Sequence, residues 1–137
     1  MENNLLVPVI SLWMPWANWI MLGWKKIETR THTRFKSLVG KRIGIHATMK
    51  WDNYALLAAS PWLTPQQIEH TNRFLKIGGA ILGTVYVSEF RLLTANDSQA
   101  SLINCDDVLR YGLVLEDVQI CEAKSIPGKQ GIWYAQI

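Results

Sequence analysis

The chain has 137 residues, of which 49% are hydrophobic and 18% charged; this fits one globular domain and excludes a disordered chain, which needs low hydrophobicity and high charge. Its 14 basic and 11 acidic residues leave a net charge of +3, a mild excess that permits an anionic partner without demanding one. Cys105 and Cys121 stand alone, which excludes a disulfide framework and reads as two reduced thiols in a cytoplasmic protein.

Residues 5–24, LLVPVISLWMPWANWIMLGW, carry no charge, and the run is long enough to span a membrane. Pro8 and Pro15 would interrupt such a helix twice, Ser11 and Asn18 place polar groups inside it, and the preceding MENN lacks the positive charge of a signal peptide. No membrane segment is expected. The run reads instead as a strand over 7–12 and a helix over 15–22, with Pro15 at the first helical position and Gly23 as a left-handed stop.

Residues 25–30, KKIETR, read as a strand by alternation. Lys26, Glu28 and Arg30 then share one face, with Lys25, Ile27 and Thr29 on the other. A polar, basic loop over 31–40 follows, then a strand over 41–48 with Ile43, Ile45 and Ala47 on the core face and His46 opposite. Residues 51–59 are apolar at helical spacing. Thr64, Pro65 and Gln67 supply an N-cap, a first-turn proline and a capping box for a helix running to about Leu75, which Gly78 and Gly79 end. A long strand over 80–90, a polar loop over 94–101 and strands over 111–120 and 131–137 complete the chain. Only the first strand–helix–strand unit suits parallel pairing. The order predicts one α+β domain over 1–137, a mainly antiparallel sheet closing into a small β-barrel with helices packed outside.

Chemistry concentrates around Gly23, Lys25, Glu28 and Arg30. Glu28 and Arg30 suit either an exposed ion pair or a cleft, where a cation holds an oxygen and a carboxylate accepts protons. Four of the seven tryptophans, Trp13, Trp16, Trp19 and Trp24, lie just before or within this region. Trp16 and Trp19 share a helix face, and an aromatic beside a basic strand can stack a nucleobase. His46 and Lys50 form a third candidate set. His32, His46 and His70 are isolated, and neither a glycine-rich phosphate loop nor a nucleophile elbow is present, so no metal or cofactor is expected.

The stretch ISLWMPWANWIMLGWKKIETR resembles the opening of the ASCH domain family, relatives of the PUA domains: Pro15–Trp16–Ala17, a short helix, then Gly23, Lys25, Glu28 and Arg30 in a Gly-x-Lys-x-x-Glu-x-Arg pattern. GKRIGIHATMKWD, with His46 and Ala47, and GGAILGTVYVSEF resemble the family's next strands. YGLVLEDVQICEAKSIPGKQGIW, with Gly128, Lys129, Gln130, Gly131 and Trp133, resembles its close. The resemblance implies a PUA-like barrel with a cleft beside the first helix and a link to RNA or modified nucleosides. Some members are amidohydrolases that remove the acetyl group of N4-acetylcytidine with a Lys, a Thr and a Glu. The Lys matches Lys25, while Glu28 stands where those enzymes have Thr.

Three readings follow. In the first, the chain binds RNA or a nucleoside, with Trp16, Arg30, His46, Lys50 and Tyr54 around the ligand. In this reading Lys25 and Arg30 hold phosphate, helped by the loop bearing His32, Arg34, Lys36, Lys41 and Arg42. In the second, it is an amidohydrolase. Lys25 is then nucleophile or oxyanion donor, Glu28 the proton acceptor, and Thr29 or Tyr54 an auxiliary hydroxyl. In the third, it is a metal-independent ribonuclease on single-stranded RNA, using His46 with Lys50. The sequence is compatible with a monomer or a homodimer.

Overall fold

The computed structural model describes residues 6–137, so the MENN segment lies outside the described residues. Six strands form one sheet in the order β2-β5-β4-β3-β1-β6. They are β1 (Val7–Met14), β2 (Ile27–Arg30), β3 (Arg42–Trp51), β4 (Ala80–Leu92), β5 (Tyr111–Ser125) and β6 (Trp133–Ala135). The helices are α1 (Trp16–Met21), α2 (Ala55–Ala59), α3 (Pro65–Phe74) and α4 (Ser98–Ser101).

The expected parallel unit is relocated. β1 pairs in parallel with β3, with Ser11 opposite His46, whereas β2 crosses to the far edge and pairs antiparallel with β5, Ile27 opposite Val114. The remaining pairings are antiparallel, as expected. Closure into a barrel is not observed: β2 and β6 are the two ends of the strand order and do not pair. Both are short, four and three residues, and β2 covers only the 111–114 end of β5.

The core forms on both sides of α1. Ala17, Ile20 and Met21 join Ile10, Ile43, Ile45, Val85 and Leu113 of the sheet. Trp19 on the opposite side packs with Ala55, Ala59, Leu63, Leu75 and Leu102 beneath α2–α4. Its indole Nε1 donates to Thr71 Oγ1 at 2.9 Å. Full burial of an aromatic of this size contributes about 2–3 kcal/mol, which is why so short a helix stays docked. The Thr64–Gln67 capping box forms as expected, with both reciprocal hydrogen bonds.

Three further element expectations are corrected. Residues 49–51 continue β3, where Trp51 pairs with Met14, so the helix begins only at Ala55. The loop over 31–40 contains a 3-10 turn, Arg34–Leu38, whose Phe35 and Leu38 are buried in the core. The loop over 94–101 contains a 3-10 turn, Ala95–Asp97, opened by a Thr94–Asp97 capping box, which leads directly into α4. Asp97 accepts two hydrogen bonds from Arg91, at 2.9 and 2.8 Å, and one from the Thr94 amide at 2.9 Å.

Candidate functional site

The site begins with a turn. α1 ends in a left-handed glycine, Gly23 at φ +76, a conformation without penalty only for glycine. The amides of Trp24 and Lys25 both bond back to the Trp19 carbonyl, at 3.0 and 3.1 Å. Lys25 is therefore folded against α1 and precedes β2 rather than belonging to it. Alternation places Lys25 and Glu28 on opposite faces; the turn cancels that alternation and brings them together.

Lys25 Nζ donates to the Ser101 carbonyl at 2.5 Å, lies 3.6 Å from Glu28 Oε1 and sits 4.9 Å from the Trp16 ring centroid. The Ser101 carbonyl belongs to the last turn of α4, which ends at the left-handed Leu102. Glu28 Oε2 in turn lies 3.1 Å from the Arg30 guanidinium, which packs 4.6 Å from the Phe35 ring centroid. Lys25 is 2% and Glu28 6% exposed. Burial pushes the Lys25 ammonium below its ordinary pKa, with Glu28 and Cys105 opposing the fall.

This network floors an open cleft of about 370 Å³, within the range of small-molecule sites. Lys25, Glu28, Thr29 and Arg30 line it from β2 and the turn before it, Trp16 from α1, Ser11, Leu12 and Trp13 from β1, and Asp52 and Ile103 from the loops. Asp52, which sequence reasoning did not single out, fixes the aromatic wall. Its Oδ2 accepts the Trp16 indole N–H at 2.8 Å, and its own amide bonds to the Met14 carbonyl at 2.7 Å. Because 51–59 reads as a helix from sequence, Asp52 looks like a first-turn acid rather than a cleft residue. With all groups ionised, two cations face two anions, so the cleft suits a neutral polar ligand better than an anion.

The structure brings Trp16, Lys25, Glu28, Thr29 and Arg30 into this one cleft. The other three candidates do not line it. Tyr54 is 77% exposed, and the hydrogen bond that joins it to Asp52 comes from its backbone amide, at 3.0 Å. His46 is 1% exposed; its Nε2 lies 2.7 Å from the Ile126 carbonyl and its ring stands edge-on to Trp133 at 5.5 Å. It borders an adjoining cavity beneath Pro127–Gln130, which shares Ser11 and Trp13 with the cleft. Lys50 is exposed, its Nζ 3.8 Å from the Trp13 ring centroid. Four positions along β3 separate His46 from Lys50 by about 13 Å, so the acid–base pair needed for the ribonuclease reading is not assembled.

No family model matches the chain, and neither does any curated protein. Among solved structures, the chain is similar to the ASCH protein of Zymomonas mobilis, with a TM-score of 0.58 and 15% identity over 94% of this chain and 87% of that one. A tyrosine-to-phenylalanine variant of that protein matches with a TM-score of 0.56 at 15% identity, over 94% and 89%. A serine-to-alanine variant matches at 0.58 and 16%, over 94% and 87%. The chain therefore has the fold of an ASCH domain.

Proposed function

We propose that this chain is an ASCH-family protein that binds a nucleoside, free and modified or as an unpaired base of RNA, in the cleft above Lys25, Glu28 and Arg30. The observation that carries this reading is the charge-balanced polar floor beside the Trp16 wall. A nucleobase offers an aromatic face for stacking and an edge of neutral donors and acceptors. The Glu28 carboxylate is the natural acceptor for an exocyclic amino or amide N–H, and the two flanking cations orient it. Both thiols are unpaired, and no helix among the described residues is long and apolar enough to cross a membrane, in keeping with the cytoplasm as the place of action.

A second reading, hydrolysis of an acylated nucleobase, is favoured by the lowered pKa of Lys25 and by Thr29 at the same cleft. Burial favours the neutral amine of Lys25, whose lone pair can attack or transfer a proton once the ammonium has given its proton up. Glu28, 3.6 Å away, would receive that proton.

Calorimetric titration of cytidine and N4-acetylcytidine, with chromatography of the same samples, tests both readings. Binding that weakens about tenfold or more in Glu28→Gln is expected, because a hydrogen bond to a charged group is worth about 1.5–3 kcal/mol. Equal affinity in both proteins would remove Glu28 from the site. Release of acetate that disappears in Lys25→Met would establish the hydrolase reading; binding without release would leave recognition alone.

A further inference from the structure

Arg30 borders two cavities. Besides the cleft it lines a neighbouring cavity of about 480 Å³, shared with His32, Arg34, Phe35, Gln130 and Ile132. The two differ in charge. Glu28 and Asp52 offset the cations of the cleft, whereas no carboxylate lines the second cavity. Arg30 is partly neutralised by Glu28, but Arg34 is exposed and has no ion-pair partner among the described residues.

His32 adds a directed donor. Its Nδ1 accepts the Arg34 amide at 3.1 Å, which leaves the proton of the neutral ring on Nε2. The ring is held edge-on against Phe35 at 5.2 Å, so Arg30 and His32 pack on one buried aromatic. The far wall is fixed as well. Gly131 turns in the left-handed region, φ +69, and the segment leading into it is tied down where His46 meets the Ile126 carbonyl. Burial, then the charges of Arg34 and Arg30, lower the His32 pKa.

We infer that the Arg30–His32–Arg34 cavity is a phosphate subsite, which makes the substrate class a nucleotide or single-stranded RNA rather than a free nucleoside. The inference rests on the nucleoside reading of the cleft. Arg30 joins the two halves, one edge on Glu28 beneath the base and the rest facing the phosphate. Arg34 supplies the uncompensated charge and a planar fork matched to phosphate oxygens.

The test compares cytidine and N4-acetylcytidine with their 3′- and 5′-monophosphates, and adds a short mixed-sequence single-stranded RNA, all titrated into the full chain and into Arg34→Ala. One monophosphate of each pair is expected to bind about tenfold more tightly than its nucleoside, the scale of one charge-assisted contact. In Arg34→Ala that ratio should fall below about threefold, and the salt slope of RNA binding between about 50 and 200 mM should drop by about 0.7. Nucleosides that bind as well as both their monophosphates would overturn the phosphate subsite and leave the cleft reading standing. Phosphate-dependent RNA binding lost in Arg34→Ala, with no nucleoside affinity, would support the subsite and overturn the base reading. A phosphate gain that survives Arg34→Ala would overturn the placement proposed here.

Discussion

At the start of β2, Lys25 and Glu28 are almost fully buried yet floor an open cleft; on β3, His46 is equally buried, but its Nε2 is spent on the backbone carbonyl of Ile126. Both sets are polar residues set among strand hydrophobics, and in the sequence they look alike. What separates them is their neighbours: Glu28 sits between two cations, whereas His46 bonds only through Nε2 and its buried Nδ1 has no hydrogen-bond partner among the described residues. Glu28 holds two cations and still lines the cleft. His46 ties the chain closing over it, so tightly that a Cβ on Gly128 would lie 2.6 Å from the imidazole. Burial of a polar group therefore does not mark function by itself; burial together with charged neighbours that line one cleft does.

The largest effect should come from Glu28→Ala. It leaves the Lys25 ammonium buried without a counter-charge, and stability in urea should fall by about 3–5 kcal/mol. If it falls by less than about 1 kcal/mol, the Lys25–Glu28 pair is not the buried unit described. His46→Ala should cost about 2–3 kcal/mol through the lost ring contact with Trp133 and the lost hydrogen bond. Nucleoside affinity should change less than threefold; a larger loss would return His46 to the site and erase the contrast.

A smaller effect concerns the support of the cleft. Asp97, held by Arg91 and the Thr94 amide, has its pKa lowered from 3.8 to about 2. That stabilisation is complete above about pH 4 and is lost as pH falls through 2. It amounts to about 1–2 kcal/mol, discounted for partial solvation. Because α4 starts at Asp97 and presents the Ser101 carbonyl to Lys25, Asp97→Asn should flatten the acid limb of the stability curve and loosen the lysine's seat. An unchanged acid limb would remove Asp97 from this role. The subtlest effect is alkaline. The pKa of Lys25 is lowered in the folded state from 10.5, so between its folded value and 10.5 the unfolded chain binds more protons. Stability relative to Lys25→Met should rise with pH through that window. A flat difference would mean that burial does not penalise the ammonium.

Much of this was legible. The Gly23–Arg30 motif marks the cleft, the Thr64–Gln67 pair marks α3, and Glu28 and Arg30 share a side as alternation requires. The Lys25–Glu28 contact was not legible, because alternation applies only inside a strand and Gly23 delays the strand to Ile27. Asp52 was hidden by the apolar run after it, which reads as helix although β3 first continues to Trp51. α4 was hidden by polar residues whose helix follows a 3-10 turn that Thr94 and Asp97 cap. The path of β2 to the far edge is set by pairing with residues 111–114, about 80 positions away, which local patterns do not encode.

Two indoles report the two regions directly: Trp16 Nε1 bonds to Asp52 in the cleft, and Trp133 Nε1 donates to Ser11 beside His46. Their N–H resonances, assigned with Trp16→Phe and Trp133→Phe, can be followed while N4-acetylcytidine or cytidine 5′-monophosphate is added. The account predicts a saturable shift of the Trp16 resonance that exceeds any shift of Trp133, whose partner Ser11 also lines the cleft. A shift confined to Trp133, or none at either indole at millimolar ligand, would contradict it.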